Sequence, residues 1–248
     1  MVKKTRIIGV VSVKGGVGKT SVTSNLGAVL AERFGKSVCL VDGNFSAPNL
    51  GMHLGIVDPE YAVQDVLIGK RHIFSTIYTF TKRLDLIPAR NLGEKIQWKS
   101  FRNKLRPLVG EYSYVLIDAS PSTEIHATID AADALIVVLS PDYPTVSSTV
   151  NTIRKIERKK KVILGLVLNR VHRKRYELSV LEIEEILGYS VLQFLPEDKR
   201  MMKSLSRMRP FVLEFPRRCL TKKYLALAED LIGKSVRKKR KFPWKLLP

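Results

Sequence analysis

Residues 14–21, Lys14-Gly15-Gly16-Val17-Gly18-Lys19-Thr20-Ser21, constrain this chain more than any other segment. Gly18-Lys19-Thr20 meets the second half of the phosphate-loop pattern G-x-x-x-x-G-K-[ST], and Lys14 is one lysine more than that pattern needs. The flanks agree with it. Before the run stands the largely apolar stretch Ile7 to Val13, and after it Ser21 to Ala31 repeats small and apolar residues at helical spacing. A strand, a glycine loop and a helix in that order bring backbone N–H groups and the positive end of a helix to a phosphate. Lys19 is then placed for the β- and γ-phosphates of a triphosphate, and the Thr20 hydroxyl for Mg²⁺.

Strand-like runs keep alternating with helical stretches beyond the loop. Ser37 to Val41 ends at Asp42, Leu84 to Pro88 follows, and Tyr114 to Ile117 runs into Asp118. Ala134 to Leu139, Val162 to Leu168 and Val191 to Leu195 complete the set. Between them helices are expected over Tyr61–Ile68, Ile96–Val109, Thr145–Arg158, Glu177–Leu187 and Leu220–Ile232. Near-continuous apolar strands separated by helices imply an α/β fold, a mainly parallel sheet with helices on both faces. Ligands of such sheets sit at the C-terminal strand ends, where the loop, Asp42 and Asp118 all fall. Asp118 closes an apolar strand as an acid approaching Mg²⁺ does, and Asp42 is placed to complete the outer shell of the same ion.

The run from Lys14 to Ser21 resembles the deviant phosphate loop of the MinD/ParA family of dimerising P-loop ATPases. Val41-Asp42-Gly43-Asn44 through Pro48-Asn49-Leu50 is similar to that family's first switch segment, and Tyr114 to Pro121 to its second, with Ser120 where a second proline is common. Leu168-Asn169-Arg170 matches the segment whose asparagine recognises adenine, and Leu195-Pro196-Glu197-Asp198 the loop that packs on the base. The likeness spans roughly Arg6 to Phe211 and is nearest to the MinD branch, in particular its archaeal members. It implies ATP and Mg²⁺ as ligands, held by residues 14–21 (Gly15, Gly16, Val17 and Gly18 by their backbone), Asn169, Pro196, Glu197 and Asp198, with Thr20, Asp42 and Asp118 around the metal. It also gives Lys14 a job: reaching across a two-fold interface to the ATP of the other subunit, so that ATP drives homodimerisation.

One position departs from the family pattern. Where a second aspartate is usual in the first switch, this chain has Asn44. A carboxamide orients water but is a poor base, and base assistance is worth roughly 10²- to 10⁴-fold. The expectation is an ATPase with Lys14, Lys19 and Asn44 in the catalytic set, slow to turn over or unable to.

Charge adds a partner class. Lysine and arginine number 43 against 23 acids, a net charge of +20, which points to a polyanion: an anionic membrane or nucleic acid bound without sequence preference. MinD proteins bind membranes through a C-terminal amphipathic segment. Here residues 235–248 carry five consecutive cations, Arg237 to Lys241, beside Phe242, Trp244, Leu246 and Leu247, although Pro243 interrupts any helix. The expected organisation is one ATPase domain over residues 1–234 and a basic, apolar tail over 235–248, with an activator or cargo protein still to be identified. Lys199, Arg200, Lys203, Arg207 and Arg209 form a second cationic stretch that suits the DNA-binding ParA branch. Two isolated cysteines, Cys39 in an apolar strand and Cys219 after Arg217-Arg218, suit a reducing cytoplasm, and a place on the inner face of the cell membrane follows from the tail. Paired cysteines for a bridging iron-sulfur cluster are lacking, and the four histidines show no zinc-ligand spacing.

Overall fold

The computed structural model describes residues 5–91, 98–121, 124–172 and 174–233. The tail, 235–248, lies outside the described residues. The strands are β1 (Arg6–Val11), β2 (Val38–Gly43), β3 (Tyr78–Thr81), β4 (Leu84–Ile87), β5 (Tyr114–Ala119), β6 (Ala134–Leu139), β7 (Val162–Val171) and β8 (Val191–Pro196). The helices are α1 (Lys19–Glu32), α2 (Val63–Leu67), α3 (Phe101–Leu105), α4 (Ile125–Ala131), α5 (Tyr143–Arg158), α6 (Val180–Leu187), α7 (Arg200–Ser206), α8 (Phe211–Glu214) and α9 (Cys219–Ile232).

The strands form one sheet in the order β3-β4-β2-β5-β1-β6-β7-β8, parallel except for the antiparallel edge strand β3. Alternate residues of each central strand enter opposite cores. Ile8 and Val10 of β1, Val38 and Leu40 of β2, and Leu116 of β5 pack under α1, α8 and α9. Ile7, Cys39, Val41, Val115 and Ile117 face α2, α3 and α4, and the cover continues over β6 and β7 with α5 and α6. Both faces being buried is why the sequence reads as apolar runs with no alternation. The α1 helix lies very close to the sheet: a Cβ on Gly27 would sit 2.5 Å from Leu40 Cδ2, so any other residue there forces the buried leucine aside.

Three expected helices come out shorter. Of Tyr61–Ile68 only Val63–Leu67 is helical, because Ala62 is extended and its N–H is taken by Asp65 Oδ2. Within Ile96–Val109 the described part breaks into a 3₁₀ turn at Trp98–Ser100, α3, and a second 3₁₀ turn at Arg106–Leu108. Pro107 explains the second break, since it has no N–H to donate and its ring collides with the carbonyl four residues back. The helix expected from Glu177 starts at Val180, because Ser179 and Glu182 close a reciprocal capping box there. Strand β3 and helices α4, α7 and α8 are additional to the elements expected.

Candidate functional site

Parallel register brings the site together. Asp42 and Asp118 are direct neighbours on β2 and β5, Asp118 pairs with Val10 of β1, and the phosphate loop leaves β1 just beyond. Ser12 Oγ turns that loop by donating to the Lys14 carbonyl at 2.9 Å. Gly18 adopts φ +90° and ends the loop as the N-cap of α1. No side chain caps this helix and its first turn holds no acid, so its N–H groups and positive end remain available to an anion.

Lys19 is buried, and its ammonium has a lowered pKa because of burial, partly offset by the charge of Asp118. Thr20 Oγ1 donates to Asp118 Oδ2 at 2.6 Å, with Asn49 Oδ1 at 2.9 Å. A hydroxyl has one hydrogen, and the short bond to the carboxylate is the stronger claim on it, which leaves its lone pairs for a cation. Thr23 approaches the other Asp118 oxygen at 3.3 Å. Asp42 is fully buried and accepts backbone N–H bonds from Asn44, Asn49 and Leu50 at 3.0–3.2 Å, so it shapes the loop after β2. Both carboxylates are pushed above the usual range, Asp42 by burial and then by the charge of Asp118, Asp118 by burial against the bonds from Thr20 and Thr23 and the charge of Lys19.

Two buried acids that resist ionisation are the donor set a divalent cation relieves, and Thr20 is turned to share it. Among the described residues no cluster of three or more His, Cys, Asp or Glu could hold a metal alone. Mg²⁺ takes few protein ligands and completes its shell with water and nucleotide phosphates. The donor set suits Mg²⁺ with a nucleotide, bound by Thr20 and reached from Asp118.

The other expected site residues fall around this centre. Asn44 is buried, and its carboxamide Nδ2 donates to the Ala47 carbonyl at 2.5 Å. Asn169 leaves the end of β7 and donates from Nδ2 to the Val17 carbonyl at 2.7 Å, beneath the phosphate loop. A Cβ on Gly18 would lie 2.2 Å from that nitrogen, so the glycine and the asparagine are fitted to each other. Glu197 pairs with His172 at 3.1 Å, and Asp198 receives the Arg200 N–H and an ion pair from Arg218.

Beside the loop opens a cleft of about 340 Å³, lined by Lys14, Gly15, Gly16, Val17, Asp142 and Arg170 among others. Asn169 and residues 196–198 do not line it. Lys14 is exposed at its mouth. Asp142, absent from the sequence-based set, caps α5 through the Thr145 N–H at 2.9 Å. Burial works against its charge, but bonds from Ser140 and Thr145 and the charge of Lys14 hold its pKa below the usual value. The sequence signal for it was the Ser140-Pro141-Asp142 step after β6, with Pro144 opening the helix.

Comparison with known proteins agrees with this arrangement. A family model described as the CobQ/CobB/MinD/ParA nucleotide binding domain matches residues 8–211. An uncharacterized ATP-binding protein of Methanocaldococcus jannaschii is 32% identical over 231 residues, 91% of this chain and 87% of that protein. The septum site-determining protein MinD of Synechocystis is 32% identical over 221 residues, 84% of this chain and 82% of that one. The structure of MinD from Pyrococcus horikoshii in complex with Mg-ADP superimposes with a TM-score of 0.85 at 28% identity, covering 92% of this chain and 96% of that one.

Proposed function

Because the chain belongs to the CobQ/CobB/MinD/ParA family of nucleotide-binding domains, we propose that it acts as a MinD-type ATPase that dimerises on ATP and places a cargo or a division site. The reading is of one domain over residues 1–234 that binds ATP with Mg²⁺, followed by a membrane-binding tail over 235–248. It is carried by one observation: Thr20 held on Asp118 beneath an uncapped helix N-terminus, with Lys14 exposed at the mouth of the loop.

Each group then has a task. Bound Mg²⁺ would neutralise charge on the β- and γ-phosphates as the terminal group leaves. The loop N–H groups and Lys19 orient the phosphates, and Lys14 adds a cation to the ATP of the partner. Asn44 positions water without removing its proton, so hydrolysis is slow and the dimer persists. Two tails in one dimer bind an anionic leaflet by avidity, which ties attachment to ATP and puts the protein on the inner face of the cell membrane. A ParA-like reading, with DNA as the polyanion, is favoured by the cationic stretch from Lys199 to Arg209.

Sedimentation with anionic liposomes and with plasmid DNA, each with ADP or a non-hydrolysable ATP analogue, separates these readings. Pelleting with liposomes in the analogue alone is expected, and loss of it on deletion of residues 235–248. Binding to both surfaces regardless of nucleotide would contradict the switch.

A further inference from the structure

We infer that the face formed by α7, the turn that follows it and residues 51–57 is a second contact for an anionic lipid surface, separate from the C-terminal tail. This rests on the reading of the protein as a membrane-associated ATPase for its choice of ligand. Its evidence is an unusual exposure of apolar side chains in a cationic setting. Met202 is 70% exposed, Val57 65%, Met52 46% and Met208 38%. Their sequence neighbours Met201, Leu54 and Ile56 turn inward and pack on the core under α1. The Met208 carbonyl lies against Gly55, where it would be 4.0 Å from a Cβ.

Between residues 197 and 222 eight lysines and arginines accompany three acids. Two of the acids are already paired with arginines, Asp198 with Arg200 and Arg218 and Glu214 with Arg207, while Glu197 contacts the His172 ring. Lys199, Lys203 and Arg209 make no ion pair among the described residues. Lys199 at the N-cap of α7 and Met202, Lys203 and Ser206 within it follow helical spacing and are all exposed, so thioether and ammonium groups share one face. A phosphodiester backbone would use the cations and gain little from bare methionines, whereas the headgroup boundary of an anionic leaflet takes both. The patch is also tied to the nucleotide site. Residues 51–57 follow directly from Asn49 and Leu50, whose N–H groups bond Asp42, and Asn49 touches Thr20.

The test uses the full chain with a non-hydrolysable ATP analogue and vesicles of equal phosphatidylglycerol and phosphatidylcholine. Met202→Ser with Met208→Ser removes apolar surface and keeps every charge, and should weaken vesicle binding by about tenfold. Nucleotide binding should be unchanged, and Met202→Leu should restore most of the loss. Wild-type vesicle binding by the double-serine protein overturns the inference. So does a loss seen only in Lys203→Glu and matched by loss of duplex DNA binding, since the face would then read phosphate alone. Deletion of residues 235–248 tests the tail by itself: abolished binding there, with the double-serine protein intact, keeps the tail reading and removes this one.

Discussion

Replacing Asn169 with aspartate separates two jobs for this side chain, bracing the phosphate loop and reading the base. The buried bond from Nδ2 to the Val17 carbonyl, 2.7 Å long, joins the end of β7 to the loop. Aspartate has the same shape and no donor. The carbonyl is left without a partner at a cost of about 1–3 kcal/mol, and a carboxylate facing it adds repulsion. With a urea slope of about 3 kcal/mol/M, a loss of about 2 kcal/mol moves the unfolding midpoint down by roughly 0.7 M in protein free of nucleotide. The freed loop must also be ordered on binding, so ATP affinity should fall by about tenfold. Gly18→Ala should reproduce both effects, because its new methyl group displaces the same amide and φ +90° disfavours any side chain. Urea titration followed by equilibrium nucleotide binding makes the check. If Asn169→Asp unfolds at the wild-type midpoint and only its preference between ATP and GTP changes, the bracing argument is wrong.

Three further outcomes follow from the same structure. Gly27→Ala gains about 1 kcal/mol of helix propensity but drives a methyl group into Leu40, so a net loss of about 1–2 kcal/mol is expected, and thermal melting that shows a gain would refute the close packing. Burial lowers the pKa of His53 to about 4, so the unfolded chain takes up the proton first and stability is lost as pH falls from about 6.5 towards 4, by up to about 3 kcal/mol. Asp42 and Asp118, raised in the fold, work in the opposite direction over acid pH, so the histidine effect is read as the difference between wild type and His53→Gln at pH 4.5 and 7; equal differences would refute it. Asn44→Asp restores a carboxylate two residues after Asp42 and should raise ATP turnover by about tenfold or more, and unchanged turnover would count against the slow-switch reading.

The parts of the fold legible in the sequence were those set by burial and by the phosphate loop. The central strands lie between two helix layers and must be apolar throughout, so β1, β2, β5 and β6 announce themselves, and β6 spans Ala134–Leu139 as expected. Strand β3 is a half-exposed edge of four residues, Tyr78–Thr81, held by antiparallel pairing to β4, and so short a segment has no period to read. Helices α7 and α8 are too short to show an amphipathic period and are held by packing, α7 on α8 and α8 on α1 and α9. At the site, Lys19, Thr20 and Asp118 could be named because strand ends and loop spacing fix them. The contact between Asn169 and Val17 spans 152 positions, and the share Asp142 takes in the cleft beside Lys14 follows from where β6 sits, so both needed the sheet order.

The central claim is that Lys14 makes ATP a dimeriser. Solution mass with a non-hydrolysable ATP analogue and Mg²⁺ tests it most directly, against a chain mass of 28.1 kDa. The wild-type protein should double its mass with the analogue and stay monomeric with ADP, while Lys14→Ala binds the analogue and stays monomeric. A Lys14→Ala protein that dimerises as well as the wild type would contradict the account.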